Sequence, residues 1–256
     1  MSATPPVLET QDLTIRFGGH VAVNKVTCAF QPGTLTAIVG PNGAGKTTYF
    51  NLISGQLAAS AGKVLLHGKD VTNLPASART QRGLGRAFQL TNLFPNLSVF
   101  ENIRLAVQAR ARGGLSLLTL WTDRRDVMSA AGVILERVRL ADKRETIVGT
   151  LPHGDQRKLE IALLIALEPD VFMFDEPTAG MSVDEVPNVL EIIGELKQDA
   201  SKTILLVEHK LDVVRSLAGR IIVLHNGTLV ADGEPAEVMA SAIVREAYLG
   251  QEFEDA

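Results

Sequence analysis

The sequence predicts an α/β fold with a mixed, mostly parallel core sheet, an N-terminal antiparallel β subdomain and a helical insertion subdomain. Three patterns predict it. Apolar and polar residues alternate near the N-terminus, as in half-buried antiparallel strands. From residue 151 onward, short and continuously apolar segments alternate with helical patterns, as in parallel strands covered on both faces. A glycine-rich loop separates one apolar segment from a predicted helix.

The composition is that of an ordinary globular protein. The 256 residues are 46% hydrophobic and 21% charged, which excludes disordered and collagen-like chains. Twenty-five basic residues against 29 acidic residues give a net charge of −4. A nucleic-acid-binding protein usually carries an excess of basic residues. We therefore expect no nucleic acid among the partners.

The sequence is expected to be that of a cytoplasmic protein. Its one cysteine, Cys28, excludes an internal disulfide and a cysteine-based zinc site. The first ten residues have neither the basic region nor the apolar region of a signal peptide. The most apolar segment, residues 161–167, is far shorter than the roughly 18 residues of a membrane-spanning helix. Work at a membrane would therefore depend on other subunits.

The N-terminal region predicts two hairpins separated by a strand and a helix. Two alternating runs flank a turn at Gly18-Gly19, and a short apolar strand over 35–39 leads to a helix over about 46–54. A second hairpin over 63–71 turns at His67-Gly68. The alternating apolar residues of the first hairpin are Leu13, Ile15, Phe17, Val26, Cys28 and Phe30.

The middle of the chain changes to a helical pattern. Ser98 and Glu101 have the spacing of a capping box, which predicts that a helix begins there. Residues 113–122, which are apolar and uncharged, separate this helix from a second one. We predict one domain, residues 1–256, in which 90–150 form an insertion between core segments 1–89 and 151–256. The second helix is predicted by Val127, Ala131, Ile134, Leu135 and Val138.

The last third predicts helices alternating with strands. A helix over about 152–167 precedes a strand over 171–174, and a further strand is expected over 203–207. A hairpin over 221–230 turns at Asn226-Gly227, a pair typical of type I′ turns. Between the two strands, Ser182 and Glu185 are predicted to cap a helix with apolar positions Val186, Leu190, Ile193 and Leu196.

Residues 40–47 match the phosphate-loop pattern G-x-x-x-x-G-K-[ST] between a predicted strand and a predicted helix. Glycines let backbone N–H groups approach phosphate oxygens, and the helix N-terminus adds unpaired N–H groups and a positive dipole end. Lys46 is expected at the β- and γ-phosphates and Thr47 at Mg²⁺. The expected nucleotide-binding residues of this segment are Gly40, Pro41, Asn42, Gly43, Ala44, Gly45, Lys46, Thr47 and Thr48.

Two carboxylates follow the predicted strand over 171–174. Ligands collect beyond the carboxyl ends of parallel strands, so Asp175 and Glu176 are expected beside the phosphate loop. Asp175 is expected to hold Mg²⁺, directly or through water, and Glu176 to polarise the water that attacks the γ-phosphate. An Asp-Glu pair after a strand is on its own more often a solvated turn, and the phosphate loop favours the functional interpretation.

These motifs resemble those of the ATP-binding cassette (ABC) ATPases over about residues 8–250. The resemblance implies a P-loop ABC ATPase cassette that binds ATP and Mg²⁺. Gln89 stands where the family has a glutamine that contacts Mg²⁺ and the attacking water, and His209 where it has a histidine that contacts the γ-phosphate. Phe17 matches the aromatic residue that stacks on adenine, although a core role on an alternating strand stays open. The implied catalytic residues are Glu176, His209, Gln89 and Lys46, and the implied metal ligands are Thr47, Gln89 and Asp175.

The segment that resembles the family signature departs from its pattern. The family has L-S-G-G-Q, and residues 151–155 here are L-P-H-G-D. In the family this segment caps the ATP of a partner subunit, so Gly154 and Asp155 are expected to act in trans. Pro152 offers neither a hydroxyl nor an N–H group, and Ser182 replaces a family aspartate. Both departures favour a site completed by a second, related ATPase subunit over a symmetric homodimer.

The sequences of several segments are similar to those of ATPase subunits of branched-chain amino acid importers. The ATPase subunits of urea and short-amide importers are closely similar to this group. These segments are residues 16–19, 151–162, 176–181 and 245–250. The resemblance implies integral membrane permease subunits, a second ABC ATPase subunit and, indirectly, an external solute-binding protein. It places the chain on the inner face of the cell membrane.

Other functions stay open at this point. They are a non-transport ABC ATPase of the iron–sulfur assembly type and a regulatory subunit that binds nucleotide without hydrolysing it. The apolar residues of the insertion either receive a helix of the membrane subunit or fill the core of the insertion. They are Leu115, Leu117, Leu118, Leu120 and Trp121.

Overall fold

The structure is a computed structural model that describes residues 5–87, 93–110, 125–241 and 244. The chain divides into two compact units. The core unit comprises Met1–Leu84, Asp170–Glu176 and Gly194–Ala256, and the helical unit comprises Gly85–Pro169 and Pro177–Ile193. This division assigns residues 151–169 and 177–193 to the helical unit, whereas the sequence analysis assigned them to the core. The apolar residues expected to form or border a groove in the insertion, Leu115, Leu117, Leu118, Leu120 and Trp121, lie outside the described residues.

The helices and strands of the described residues follow the predicted order closely. The strands are β1 (Leu8–Phe17), β2 (His20–Phe30), β3 (Leu35–Val39), β4 (Ala61–Leu66), β5 (Lys69–Asp70), β6 (Leu84–Arg86), β7 (Val171–Asp175), β8 (Thr203–Val207), β9 (Arg220–His225) and β10 (Thr228–Gly233). The helices are α1 (Lys46–Ser54), α2 (Ala76–Thr80), α3 (Val99–Arg110), α4 (Arg125–Arg137), α5 (His153–Ala166), α6 (Val186–Lys197), α7 (Leu211–Leu217) and α8 (Pro235–Ala240). No helix in this part of the chain has the length and apolarity that crossing a membrane requires.

A four-stranded sheet in the order β2-β1-β4-β5 forms the predicted antiparallel subdomain. Leu13 and Ile15 of β1 are buried, as the alternation predicts. Phe17 differs, because its side chain is 51% exposed. Phe17 pairs with His20 at the end of the strand, beside the Gly18-Gly19 turn. Residues 16–20 are all exposed, so this end of the hairpin extends beyond the buried core. The interpretation of Phe17 as a core aromatic is therefore wrong.

The second sheet has the order β10-β9-β3-β8-β7-β6. Strands β9, β8 and β7 run parallel to their neighbours around β3, and β10 pairs antiparallel with β9. The register aligns Ile38 of β3 and Asp175 of β7 with the same residue, Val207 of β8. The carboxyl ends of these three strands therefore lie together at one edge, as in other parallel sheets. The mixed sheet is the one that the sequence predicts.

In the core unit, α1 packs against both sheets. Helix α1 buries Tyr49, Phe50, Leu52 and Ile53 among the apolar residues of the strands. The hydroxyl of Tyr49 lies 2.8 Å from the hydroxyl of Thr10, so the one polar atom of this buried ring has a partner. Because α1 begins at Lys46, this packing also fixes the position of the phosphate loop.

In the helical unit, α3 begins with one of the two hydrogen bonds of the predicted capping box. The N–H of Glu101 donates to the Ser98 hydroxyl oxygen, 3.2 Å away, at the start of α3. The Glu101 carboxylate accepts from Arg104 on the next turn instead of closing the capping box. Helix α4 buries Val127, Ala131 and Leu135, as its spacing predicts.

The predicted apolar face of α6 is partly wrong. The buried residues of this helix are Val189, Ile192, Ile193 and Leu196, whereas Val186 and Leu190 are half-buried. The helical period places the apolar side chains of α6 on one side of the helix, with Val186 and Leu190 at one edge of that side, so the spacing identifies the apolar side but not which part of it is fully buried. The side chains of Ser182 and Glu185 do hydrogen-bond, with the hydroxyl donating over 3.0 Å, but they lie before the helix begins.

A buried arginine ends the phosphate-loop helix. Arg79 of α2 is 1% exposed, and burial lowers the pKa of its guanidinium to about 10, with Asp70 acting in the opposite direction. Its nitrogens donate to four backbone carbonyl oxygens, two of them in the last turn of α1. Such carbonyls lack partners within the helix, so Arg79 supplies the C-terminal cap of α1. The acceptors are Leu52, Ile53, Thr72 and Leu74, at 2.6–3.0 Å.

Replacing Arg79 with Met removes a donor from all four carbonyls while keeping much of the side-chain volume. Hydrogen bonds to a charged group contribute roughly 1.5–3 kcal/mol each, so we expect the free energy of unfolding to fall by at least about 3 kcal/mol. Urea denaturation measures it. Arg82→Met is the control, because Arg82 is exposed and donates to one carbonyl of the same segment. Equal losses in the two variants would contradict the capping role.

Candidate nucleotide site

The phosphate loop joins β3 to α1 and needs glycine at two positions for steric reasons. Gly40 has φ 148°, and a Cβ atom built on it would lie 2.1 Å from the carbonyl oxygen of Leu224. Gly45 has φ 96°, and a Cβ atom there would lie 2.5 Å from the carbonyl oxygen of Ala22. The loop is thus packed backbone against backbone on its outer side. Any larger residue at either position would push the loop out of place.

The inner side of the loop is suited to an anion. Gly45 is the N-cap of α1, and no described side chain caps this helix end. The first N–H groups of a helix have no partner within it, and the helix dipole is positive at this end. The residues present therefore fit a phosphate group by the donors that they offer.

Lys46 reaches back into the loop. Its Nζ donates to the carbonyl oxygens of Gly40 at 2.7 Å and Pro41 at 2.9 Å, and the residue is 6% exposed. Burial lowers the pKa of the ammonium, although the nearby Glu176 and Asp175 carboxylates raise it. A lysine ammonium has three donors and no acceptor. It is therefore placed where it can exchange loop carbonyls for phosphate oxygens.

The two acidic residues lie at the end of β7, as predicted, and both are half-buried. Glu176 has the left-handed φ of 49°, which is strained for a residue with a side chain. Its N–H donates to the carbonyl oxygen of Val207 at 2.9 Å. This hydrogen bond continues the pairing of β7 with β8 by one residue.

The structure pairs Glu176 with His209. His209 Nε2 lies 2.7 Å from Glu176 Oε1, and the N–H of His209 donates to the Glu208 carboxylate at 3.0 Å. The sequence predicts a role for each residue separately but does not predict this contact. Parallel pairing of β7 and β8 brings the two strand ends together, because Asp175 is aligned with Val207.

The other expected site residues differ in how far the structure describes them. Phe17, Asn42 and Thr47 are exposed, and Thr48 is half-buried. Gln89 lies outside the described residues. Among the described side chains, no group of three or more His, Cys, Asp and Glu is placed to hold a metal ion. A cation at this site would therefore need hydroxyl and phosphate oxygens beside the Asp175 carboxylate.

The signature segment begins α5 in the helical unit. Pro152 is the N-cap, and Asp155 of the first turn is 6% exposed. The Asp155 carboxylate accepts from Lys158 at 3.0 Å and forms an ion pair with Lys143. Burial raises the pKa of this carboxyl, but the two lysine hydrogen bonds outweigh it and bring the pKa below its usual range. The Asp155 carboxylate is thus held by ion pairs with two lysines of the same unit.

Glu185 is a residue that the sequence analysis assigned only to helix capping. A Cβ atom built on Gly154 would lie 2.2 Å from Glu185 Oε1. The carboxylate therefore occupies the space that glycine leaves at the first turn of α5. Contact between residues so far apart in the sequence has no local signal. Position 154 accepts a side chain only if Glu185 moves.

The ion pairs of Asp155 predict a pH-dependent contribution to stability. Asp155→Asn removes the charge, and we expect the free energy of unfolding to fall by about 1–3 kcal/mol at pH 7. A lowered pKa in the folded state gives stability that is present above the unfolded pKa and lost as the pH falls through the folded pKa. The difference between wild type and variant should therefore be constant from about pH 7 to 5 and shrink below about pH 4.

Urea denaturation across this pH range measures the difference. Asp142→Asn is the matched control, because Asp142 is an exposed neighbour of Lys143. A difference that persists unchanged at the lowest pH, or that Asp142→Asn reproduces, would show that the Asp155 charge does not act as described.

Comparison with known protein families gives two matches. Residues 23–179 match the family of ABC transporters, and residues 228–254 match the family of branched-chain amino acid ATP-binding cassette transporters. The high-affinity branched-chain amino acid transport ATP-binding protein LivG of Escherichia coli is 36% identical over 251 residues, covering 96% of this chain and 98% of its own. BraF of Pseudomonas aeruginosa, described in the same words, is 35% identical over 252 residues, covering 96% and 98%.

Solved structures agree with the sequence comparison. An ATP-binding cassette of an ABC transporter in its ADP conformation has a TM-score of 0.81 and 29% identity, with 96% of this chain and 100% of that chain covered. A nucleotide-free cassette has a TM-score of 0.79 and 27% identity, with 94% and 98% covered. The chain therefore belongs to the ATP-binding cassette family of ABC transporters, in the group that includes the branched-chain amino acid transport ATP-binding proteins.

Proposed function

We propose that the chain is the ATP-hydrolysing subunit of an ABC importer for branched-chain or related amino acids. The observation that carries the proposal is the contact of 2.7 Å between Glu176 and His209. It puts a carboxylate and an imidazole at the sheet edge from which the phosphate loop also starts. The similarity to LivG and BraF over 96% of the chain supports the class of substrate.

The phosphate loop would hold the triphosphate of ATP. Backbone N–H groups over residues 40–48 donate to phosphate oxygens, and Lys46 moves its ammonium from loop carbonyls to the β- and γ-phosphates. Phe17 presents an exposed ring on which adenine stacks. The side chain lies at the end of β1, so stacking costs no rearrangement of the core.

Three side chains would hold Mg²⁺: the Thr47 hydroxyl, the Asp175 carboxylate and the Gln89 amide oxygen. Oxygen ligands of this kind suit a hard cation. Bound Mg²⁺ supplies positive charge that neutralises the phosphate oxygens and orients them for displacement.

Glu176 would act as the general base. Its carboxylate accepts a proton from the water that attacks the γ-phosphate. His209 holds the carboxylate in place through Nε2 until the phosphate arrives, and then donates to the γ-phosphate. The left-handed backbone at Glu176 fixes the direction from which the carboxylate approaches.

A second cassette would complete the site. Gly154 and the backbone of Asp155 begin a helix whose N-terminus faces the nucleotide of the partner subunit. Because the Asp155 carboxylate is held by Lys143 and Lys158, it adds no free negative charge there. Pro152 and Ser182 weaken this contribution, which favours a related subunit as partner over a second copy.

The remaining partners follow from the proposed role. Integral membrane permease subunits carry the amino acid, and an external solute-binding protein delivers it without touching this chain. The chain lies on the inner face of the cell membrane. Relatives named for branched-chain amino acid transport favour this assembly over a non-transport ATPase.

Glu176→Gln tests the hydrolytic role. The amide keeps the shape of the side chain but accepts no proton, and loss of a general base lowers turnover by about 10²–10⁴-fold. We expect this loss in the complete transporter reconstituted in vesicles, together with retained ATP and loss of leucine uptake. ATP hydrolysis, bound nucleotide and uptake of labelled leucine are the measurements.

Glu237→Gln is the control, since Glu237 is an exposed carboxylate on α8. Unchanged hydrolysis in Glu176→Gln would reject Glu176 as the base. If the intact transporter hydrolyses ATP equally fast with the wild-type chain and with Glu176→Gln, the chain would be a regulatory subunit instead.

A further inference from the structure

The turn between β9 and β10 lies against the outside of the phosphate loop. From the sequence alone, Asn226-Gly227 predicts only a hairpin turn. In the structure, the N–H of Gly227 donates to the carbonyl oxygen of Ala44 at 3.0 Å. The carbonyl oxygen of Leu224, just before the turn, is the atom that excludes a side chain at Gly40. The turn therefore touches the loop at both of its ends.

The hydrogen bond from Gly227 orients a peptide of the loop. In a trans peptide unit the C=O and N–H bonds point in opposite directions. Holding the Ala44 carbonyl toward the turn thus directs the N–H of Gly45 to the opposite side, into the loop. A free carbonyl turned toward a phosphate would repel it, whereas an N–H group there attracts it.

Strand β2 joins the same junction. The N–H of Asn24 donates to the carbonyl oxygen of Gly227 at 2.8 Å, and the carbonyl oxygen of Ala22 closely approaches both Gly45 and Gly227. A Cβ atom would lie 2.5 Å from it at Gly45 and 2.7 Å from it at Gly227. Three separate backbone segments therefore meet within a space that only glycine fits.

We propose that Gly227 is a positioning residue for nucleotide binding, which acts by holding the Ala44–Gly45 peptide with its N–H toward the phosphates. This inference rests on the proposed function, in which the loop binds ATP. It assigns to the β9–β10 hairpin a part in ATP affinity that none of the phosphate motifs includes.

The chain offers a matched control for this proposal. Gly68 follows His67 in the β4–β5 turn with φ 71°, and Gly227 follows Asn226 with φ 74°. A Cβ atom at Gly68 would have no heavy atom within 4 Å, whereas at Gly227 it would meet Ala22. Alanine therefore introduces the same backbone strain at both positions and a steric conflict at Gly227 alone.

The first experiment compares Gly227→Ala with Gly68→Ala in the reconstituted transporter. We expect Gly227→Ala to raise the KM for ATP at least about tenfold, because small misplacements of binding groups are costly, with kcat at saturating ATP nearly unchanged. Gly68→Ala should keep the KM of the wild type. Equal KM values in two folded variants would overturn the proposal.

The second experiment uses the wild-type chain, so it does not depend on a variant that folds. Hydrogen exchange is measured for peptides covering residues 220–230 and 62–72, with and without ATP and Mg²⁺. We expect ATP to slow exchange at the β9–β10 turn and leave the β4–β5 turn unchanged. ATP binding without added protection at the β9–β10 turn would overturn this inference alone, whereas absence of ATP binding would overturn the proposed function beneath it.

Discussion

The site depends on close backbone packing around the phosphate loop. At Gly40 and Gly45, the neighbouring carbonyl oxygens of Leu224 and Ala22 lie where a side chain would otherwise be. Packing this tight restricts the backbone of the loop, which ends at the N-terminus of α1, where no described side chain caps the first N–H groups. Donors that are fixed before binding cost no reorganisation when an anion arrives. In the proposed site, the packing that holds the loop in place would therefore also position its donors for phosphate.

The chemistry follows from how parallel strands end. Strands β3, β7 and β8 share a register, so the residues that follow them meet at one sheet edge. Asp175, Glu176 and His209 approach one another because they follow neighbouring parallel strands, whereas Lys46 reaches this edge through the glycine-dependent phosphate loop. The signature segment, by contrast, holds its Asp155 carboxylate between lysines of its own unit. In the proposed dimer, each cassette would therefore supply charged groups at its own loop and mainly a helix N-terminus to its partner.

Local patterns predicted the parts of the fold that depend on neighbouring residues. The strands over 35–39 and 203–207 have the predicted bounds, and the turns at His67-Gly68 and Asn226-Gly227 lie where the sequence predicts them, because their signals lie within a few residues. Contacts between distant residues have no such signal, and the spacing in α6 identifies an apolar side but not which edge of that side is fully buried. The alternation of apolar and polar residues does not show that β1 extends beyond the buried core at Phe17. The contacts that sequence reasoning missed are Glu176–His209, Gly227–Ala44, Arg79 with the end of α1, and Glu185–Gly154.

Calorimetric titration of ATP into the purified chain, with and without Mg²⁺, tests the central claim most directly. The account predicts saturable binding that Mg²⁺ strengthens and that Lys46→Ala weakens by at least about tenfold, which corresponds to about 1.4 kcal/mol. It also predicts that Thr47→Val removes most of the Mg²⁺ effect. Binding that neither substitution changes, or no binding by the wild-type chain, would contradict a magnesium–ATP site at this loop.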